Sequence, residues 1–323
     1  MVLPMGGNDM KIAILDAATL GTDVDLSPLR RLGETAEYPT TAPEDITDRL
    51  RDADVAVVNK IKLNGTNLPG TAVRLICVAA TGYDNIDTEY CRANGIALCN
   101  VPGYSTDSVA QLTLSMVLSL ATHLPEYTRY VADGSYSASG VANKLTPIYH
   151  EISSLTWGVV GGGGIGGKVA QIAEAFGCKV LMCRRKQDPR YETVPVDELC
   201  ARCDIISLHV PLSDETRGMI SADRIASMKD GVILVNVARG AVTDEEALTK
   251  AVESGKIGGL GVDVYSVEPF GKDHPFTRIL DRDNVCLTPH MAWGSAEARN
   301  RVVAEMAKNA AAFYAGETRN RIV

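Results

Sequence analysis

The sequence predicts an α/β protein with parallel sheets, divided into two domains, and three observations carry that expectation. Short apolar strands alternate with stretches of helical spacing along the whole chain. One of these strands runs straight into a glycine run at residues 157–167, with a helix and another strand behind it. At 323 residues the chain is also long for a single core. The architecture expected is two Rossmann-like or flavodoxin-like domains with a cleft between them. One is discontinuous, residues 1–107 plus 291–323, and the other is continuous, residues 108–290.

Taken in order, residues 1–9 contain glycines and are expected to be ragged, with Met10 as the effective start of the fold. Residues 11–15, 55–58 and 75–79 are apolar runs that read as buried parallel strands. The third leads into Ala80-Thr81-Gly82-Tyr83-Asp84-Asn85-Ile86-Asp87. A short strand near Ala97 and the turn Asn100-Val101-Pro102-Gly103 complete a unit without a phosphate-loop signature. Residues 108–123 are nearly uncharged and apolar on most faces. They are expected to form a buried helix that crosses into the second domain and lies at a domain or subunit contact. The run is too short and too polar to span a membrane. Residues 144–151, with Pro147, Tyr149 and His150, read as a loop.

The glycine unit follows. Its helix has apolar residues at Ile165, Val169, Ile172 and Phe176, and its second strand is residues 179–183. A side chain at the turn would block a pyrophosphate from the backbone, and the helix N-terminus offers that anion unpaired N–H groups. Two G-x-G-x-x-G registers overlap, starting at Gly161 or at Gly162. Gly161, Gly163 and Gly166 follow directly on the strand and set Ile165 on the packed side, so this register is preferred. The alternative is a flexible glycine loop without a ligand.

Four more strands are expected at residues 205–211, 232–240, 259–265 and 285–290. Each delivers polar residues at its C-terminal end, where open α/β sheets bind ligands. An amphipathic helix at 296–314 returns to the first domain.

The net charge of −8 disfavours a nucleic-acid partner, which needs a basic face. Eight cysteines scattered through apolar segments suggest a reducing cytoplasm. Cys200 and Cys203 are the one close pair, and a metal site would need further ligands beside them, so none is expected.

Arg239, Glu268 and His290 stand near the ends of three of these strands. Each alone has a plain reading: a solvated arginine, a charge at a helix entry, a satisfied polar histidine. Their company with a dinucleotide loop makes a joint role the better one. Here the sequence resembles the D-isomer-specific 2-hydroxyacid dehydrogenases, in their glycerate dehydrogenase or hydroxypyruvate (glyoxylate) reductase branch. Asn236-Val237-Ala238-Arg239-Gly240, Asp263-Val264-Tyr265-Ser266-Val267-Glu268-Pro269 and Thr288-Pro289-His290-Met291-Ala292-Trp293 match three signature segments in order and spacing. Asp84-Asn85-Ile86-Asp87 and Ser207-Leu208-His209-Val210-Pro211-Leu212 match two more.

The resemblance implies that the discontinuous domain binds substrate and the continuous one a dinucleotide. His290 is then the acid–base, Glu268 stabilises its protonated form, and Arg239 grips the substrate carboxylate. Reduction should accordingly persist to higher pH than in Glu268→Gln. The carboxylate's other oxygen would meet backbone N–H groups near Thr81 and Gly82, and Trp293 would wall the pocket. Cofactor contacts are implied at Gly164, Ile165, Val210, Pro211, Thr216, Val237, Ala238 and Ala292, with Asp263 facing the nicotinamide carboxamide. Tyr104, Tyr149 and His150 are further pocket candidates. A homodimer with residues 108–123 near the interface is also implied.

A carboxylate about 20 residues past the glycines usually holds the ribose 2′-OH of NAD. Here the strand ends in Arg184-Arg185-Lys186, which suits the 2′-phosphate of NADP, and the next acid is Asp188. NADP is therefore favoured, with NAD possible if Asp188 curls back. The expected reaction is reduction of a small 2-oxo acid, hydroxypyruvate or glyoxylate, to the D-2-hydroxy acid. Alternatives are a D-lactate-type substrate, a phosphoglycerate-type substrate using Lys60, Lys62 and Arg74, or a dinucleotide-sensing corepressor.

Overall fold

The computed structural model describes residues 10–186 and 188–323, and the expectation for residues 1–9 lies outside the described residues. The chain divides into two compact units, one running to Ser105 and resuming over Gly294–Val323, the other Thr106–Trp293. The breaks fall at 105/106 and 293/294, not at 107/108 and 290/291, for local reasons. Thr106 already begins a helix, and the N–H groups of Met291 and Ala292 are bonded to Asp263.

The first unit holds a parallel sheet of β1 (Met10–Ile14), β2 (Gly33–Glu37), β3 (Val55–Val58), β4 (Leu75–Val78) and β5 (Ala97–Cys99), in the order β2-β1-β3-β4-β5. This is a doubly wound order of the flavodoxin type. β1, β3, β4 and β5 arise from the apolar runs, and their interiors are buried. β2 was not expected: Gly-Glu-Thr-Ala-Glu carries no apolar pattern, because an edge strand needs to bury little. The helix Ala296–Tyr314 belongs to this unit, burying Val302, Val303 and Met306.

The second unit holds β6 (Thr156–Val160), β7 (Lys179–Cys183), β8 (Glu192–Thr193), β9 (Ile205–Leu208), β10 (Val232–Asn236), β11 (Ile257–Val262) and β12 (Val285–Leu287). Their order is β12-β11-β10-β9-β6-β7-β8, all parallel. The chain order therefore reverses at β6, between β7 and β9, which is the switch point where such sheets bind ligands. β9, β10, β11 and β12 all stop short of their expected ends, since the residues beyond leave the ladder as loops, and β11 also starts two residues earlier.

The helix Thr106–Ala121 is buried along one face, through Val109, Ala110, Thr113, Met116, Val117 and Leu120, while Gln111 and Ser115 are exposed. It is thus one-sided rather than apolar all round. Gly259 and Gly261 of β11 let it approach: a Cβ on Gly261 would stand 3.1 Å from the sulfur of Met116. Cys200 and Cys203 are fully buried in the same unit's core, and burial pushes their thiols up to about 11 and about 12. They act there as small apolar residues.

Candidate active site

β10, β11 and β12 are neighbours in one parallel sheet, so their C-terminal ends lie along one edge. Arg239, Glu268 and His290 follow these three strands in turn. Nδ1 of His290 lies 2.5 Å from Oε2 of Glu268, a short charge-assisted bond. The other carboxylate oxygen accepts the N–H of Tyr265 at 2.9 Å, which fixes the carboxylate's direction. The bond at Nδ1 fixes the orientation of the imidazole ring.

Arg239 is brought to this region by its neighbour. A Cβ on Gly240 would overlap the backbone of Tyr265 and Ser266, so only glycine lets the Arg239 turn lie against the loop that carries Glu268. Asn236 clamps the same turn, its side-chain oxygen accepting the Ala238 N–H and its amide donating to the Arg239 carbonyl, both at 3.0 Å.

Asp263 is fully buried, and the bonds of its carboxylate run to the turn bearing His290. It accepts the Thr288 hydroxyl at 2.6 Å and the N–H groups of Met291 and Ala292, each at 2.8 Å. Burial pushes its carboxyl up, and these donors and the nearby His290 pull it back. His290 itself has φ +52°, a left-handed conformation costly for a non-glycine residue, which the Asp263 tether helps to hold.

At the switch point the glycines sort themselves by what a side chain would meet. Gly161 has φ +103°, and a Cβ there would stand 2.6 Å from the His209 carbonyl oxygen. A Cβ on Gly166 would overlap the carbonyl oxygen of Gly161, so this glycine sets the helix Gly164–Ala175 close on its strand. Gly163 faces open space. In the competing register, Gly167 is open, and a Cβ on Gly162 would stand 2.6 Å from the Arg184 side chain, which unlike a backbone carbonyl can move aside. Steric need thus falls on Gly161 and Gly166, with Gly163 left for close approach of a ligand, matching the three tasks of a dinucleotide loop. Ile165 is half-buried against the core, whereas Phe176 caps the helix and is 43% exposed. Phe176 does not extend the packed stripe as its spacing suggested.

A depression of about 450 Å³ opens over this loop, lined among others by Gly163, Lys168, Arg184, Asp188 and Arg190. Asp188 does curl back: its carboxylate lies 3.1 Å from Arg184 and 2.9 Å from Arg190, and the Arg190 guanidinium holds it down at about 2. The three consecutive cations do not converge. Arg185 turns to Glu215 at the exposed surface, Lys186 is exposed, and Arg190 takes the place expected for Arg185. Arg190 and Lys168 were missed, since one lies beyond a turn and the other a helical turn past the glycines. Among the described residues, the buried Nε of Arg184 has no hydrogen-bond partner. A glycine cradle open at Gly163, two guanidiniums and an orphaned buried donor fit an anionic dinucleotide.

Other expected positions are more varied. Val237, Ala238 and Ala292 are buried beside this edge, and Val210 and Pro211 lie just beyond β9. Thr216 is buried and spends its hydroxyl on the Pro211 carbonyl at 2.7 Å, stapling its own loop. Trp293 is partly buried against the second unit's core. Tyr149 and His150 lie in an exposed segment, Tyr149 edge-on to Tyr127. In the first unit, Thr81 and Gly82 follow β4, and the Thr81 hydroxyl donates to the Val101 carbonyl at 2.9 Å. Tyr104 is buried there, its carbonyl accepting from Arg301.

A doubly wound sheet with a glycine cradle at its switch point and a carboxylate–imidazole pair at strand ends defines a dinucleotide-binding oxidoreductase. Comparison with known proteins makes this specific. Residues 114–292 match the D-isomer specific 2-hydroxyacid dehydrogenase, NAD binding domain model. A hydroxypyruvate reductase of Blautia hydrogenotrophica is 33% identical, over 96% of this chain and 99% of the relative. A glycerate dehydrogenase of Methylorubrum extorquens is 34% identical, over 96% and 98%. The structure of D-lactate dehydrogenase from Aquifex aeolicus, complexed with NAD and lactic acid, superposes with a TM-score of 0.84 at 32% identity, covering 95% of this chain and 96% of that one. The chain belongs to the D-isomer specific 2-hydroxyacid dehydrogenase family.

Proposed function

We propose that the protein reduces hydroxypyruvate or glyoxylate to the D-2-hydroxy acid. The observation that carries this reading is the 2.5 Å bond between Glu268 and His290 at the sheet edge that also presents Arg239. A bound nicotinamide dinucleotide would supply the hydride to the carbonyl carbon. The carbonyl π electrons move to oxygen, which takes the proton from Nε2 of His290, while Glu268 balances the imidazolium charge. Arg239 holds the carboxylate and polarises the carbonyl, and Thr81 and Gly82 are assigned its second oxygen. The names of the relatives, hydroxypyruvate reductase and glycerate dehydrogenase, favour a small substrate. The test is a matrix of NADH and NADPH against hydroxypyruvate, glyoxylate, pyruvate and bulkier 2-oxo acids. A preference for bulky acids, or no turnover of any, would reject the reading.

NADPH is the cofactor we favour, because Arg184 and Arg190 bring two positive charges against the one negative charge of Asp188. NADH is the second reading, favoured by the same Asp188 as a partner for a ribose 2′-OH. In Asp188→Asn the ratio of NADPH to NADH affinity should rise about tenfold, since the 2′-phosphate no longer competes with a carboxylate for two guanidiniums. Fluorescence titration with both dinucleotides checks this, and equal affinity of the unaltered protein for both counts against NADPH.

A homodimer is proposed from the exposed apolar side chains of Leu124, Val131, Val141, Leu145 and Ile148, all in one segment beside the helix Thr106–Ala121. The eight free cysteines support a reducing cytoplasm as its location. Among the described residues, no helix is long and apolar enough to cross a membrane.

A further inference from the structure

Behind the loop that carries Glu268 lies a second carboxylate–imidazole pair that the proposed reaction does not use. Glu245 opens the helix Glu245–Glu253, and His274 caps the short helical turn Pro275–Ile279. His274 Nδ1 accepts the N–H of Phe276 at 3.2 Å, so the ring proton sits on Nε2, which donates to Oε2 of Glu245 at 3.1 Å. Both side chains are nearly buried, 7% exposed for His274 and 9% for Glu245.

This pair grips the loop on both sides of Glu268. Ahead of it, Ser266 gives its N–H to Oε1 of Glu245 at 2.8 Å and its hydroxyl to Oε2. Behind it, the ring of Phe270 lies over the imidazole of His274 with centroids 4.6 Å apart and planes tilted by 33°. Tyr265 packs edge-on against both rings. Glu268 is therefore the midpoint of a segment pinned at 266 and 270. A carboxylate 2.5 Å from its partner gains or loses much of that interaction over a few tenths of an ångström, so pinning the backbone matters to the bond. If the loop needed only cohesion, an apolar pair of the same volume would supply it without desolvating a carboxylate.

We propose that Glu245 and His274 are positioning residues that set the approach of Glu268 to His290. The consequence for catalysis rests on the reading of His290 as the acid; the geometric claim does not. Glu268 and, across the turn, Asp263 are charged groups that face His290, and Arg239 is presented at the same sheet edge. Those facing the loop from behind are Glu245 and His274, with the Tyr265 hydroxyl donating to the Thr288 carbonyl at 2.9 Å.

The experiment uses the full chain and the variants His274→Asn, Glu245→Gln, Phe270→Leu and Glu268→Gln, with His274→Asn/Glu268→Gln as the double. Proton NMR without substrate reads the downfield resonance of the imidazole N–H shared between His290 and Glu268. The pH profile of 2-oxo acid reduction is the second readout. Glu268→Gln should abolish the resonance. His274→Asn should shift it upfield and move the alkaline limb of the profile in the same direction as Glu268→Gln. Turnover at alkaline pH should fall about tenfold, with little change in KM, and the double should lose no more than Glu268→Gln alone. Phe270→Leu removes only the ring stacked on His274 and should act in the same direction more weakly. It decides the matter if His274→Asn does not fold. An unchanged resonance in folded variants, or losses that add in the double, would overturn the proposal. Absence of the resonance from the unaltered protein would overturn it as well. A protein that turns over no 2-oxo acid but shows the expected resonance shifts would reject the proposed reaction and keep the positioning role.

Discussion

His209 sits where β9 leaves the sheet, with Nε2 3.0 Å from the Ser207 hydroxyl, which also accepts the indole N–H of the buried Trp157. Its Nδ1 is buried without a partner among the described residues, and burial pushes the imidazole down to about 3. In the unfolded chain the same group takes a proton near pH 6.5. Between about pH 6.5 and 3 the unfolded state therefore binds more protons, and folding stability drops as the pH falls through this window, by up to ~1.4 kcal/mol per pH unit. Urea unfolding at pH 7, 6 and 5 should show this slope, and His209→Gln should flatten it. At the candidate site the expected effect is kinetic. His290→Asn should lower kcat about 10²- to 10⁴-fold while leaving dinucleotide affinity within about twofold. Stopped-flow reduction and fluorescence titration separate the two, and equal losses in both would place His290 in cofactor binding instead.

The strand–loop–helix of β6 and Gly164–Ala175 carries three glycines with different tasks, and substitution should tell them apart. Gly166→Ala forces the helix off the strand, because its Cβ would overlap the Gly161 carbonyl. It should cost about 2 kcal/mol or more of stability, read as a lower melting temperature without ligand. Gly163→Ala meets open space and should leave the free protein's melting temperature nearly unchanged. Its cost should appear in dinucleotide affinity, about tenfold or more, since the methyl group stands where a ligand comes closest. If Gly163→Ala lowers stability and spares affinity, the register assigned to this loop is wrong.

For the assembled protein, the exposed side chains of the segment beside Thr106–Ala121 make a specific expectation. Leu145 and Ile148 are 74% and 72% exposed, a costly arrangement for a monomer in water. Sedimentation should give a dimer for the unaltered chain. Leu145→Asp/Ile148→Asp should give a monomer, with the melting temperature becoming independent of protein concentration. A unaltered chain that sediments as a monomer would leave this patch for some other contact.

Much of this was written in local pattern. Apolar runs mark ten of the strands because a parallel sheet buries both faces, and glycine spacing marks the β6 turn because only glycine tolerates φ +103° against a carbonyl. The residues that match the family's signature segments can be named from the chain alone, since they sit next to glycine, proline or a strand end. What spacing could not show was which charges meet. The cations at 184–186 look equivalent along the chain, yet Arg184 lies with Asp188 and Arg190 while Arg185 turns to Glu215. Glu245 reads as an acidic helix start and His274 as a residue before proline, and nothing local predicts that they grip one loop. β2 was silent for a different reason, being an edge strand with little to bury. Backbone conformation and burial follow from near neighbours and from average polarity, so a reader of the chain can recover them. Ion pairing, tethering and tautomer depend on the direction of side chains brought together from distant positions, and that is settled only when the sheet has aligned its strand ends.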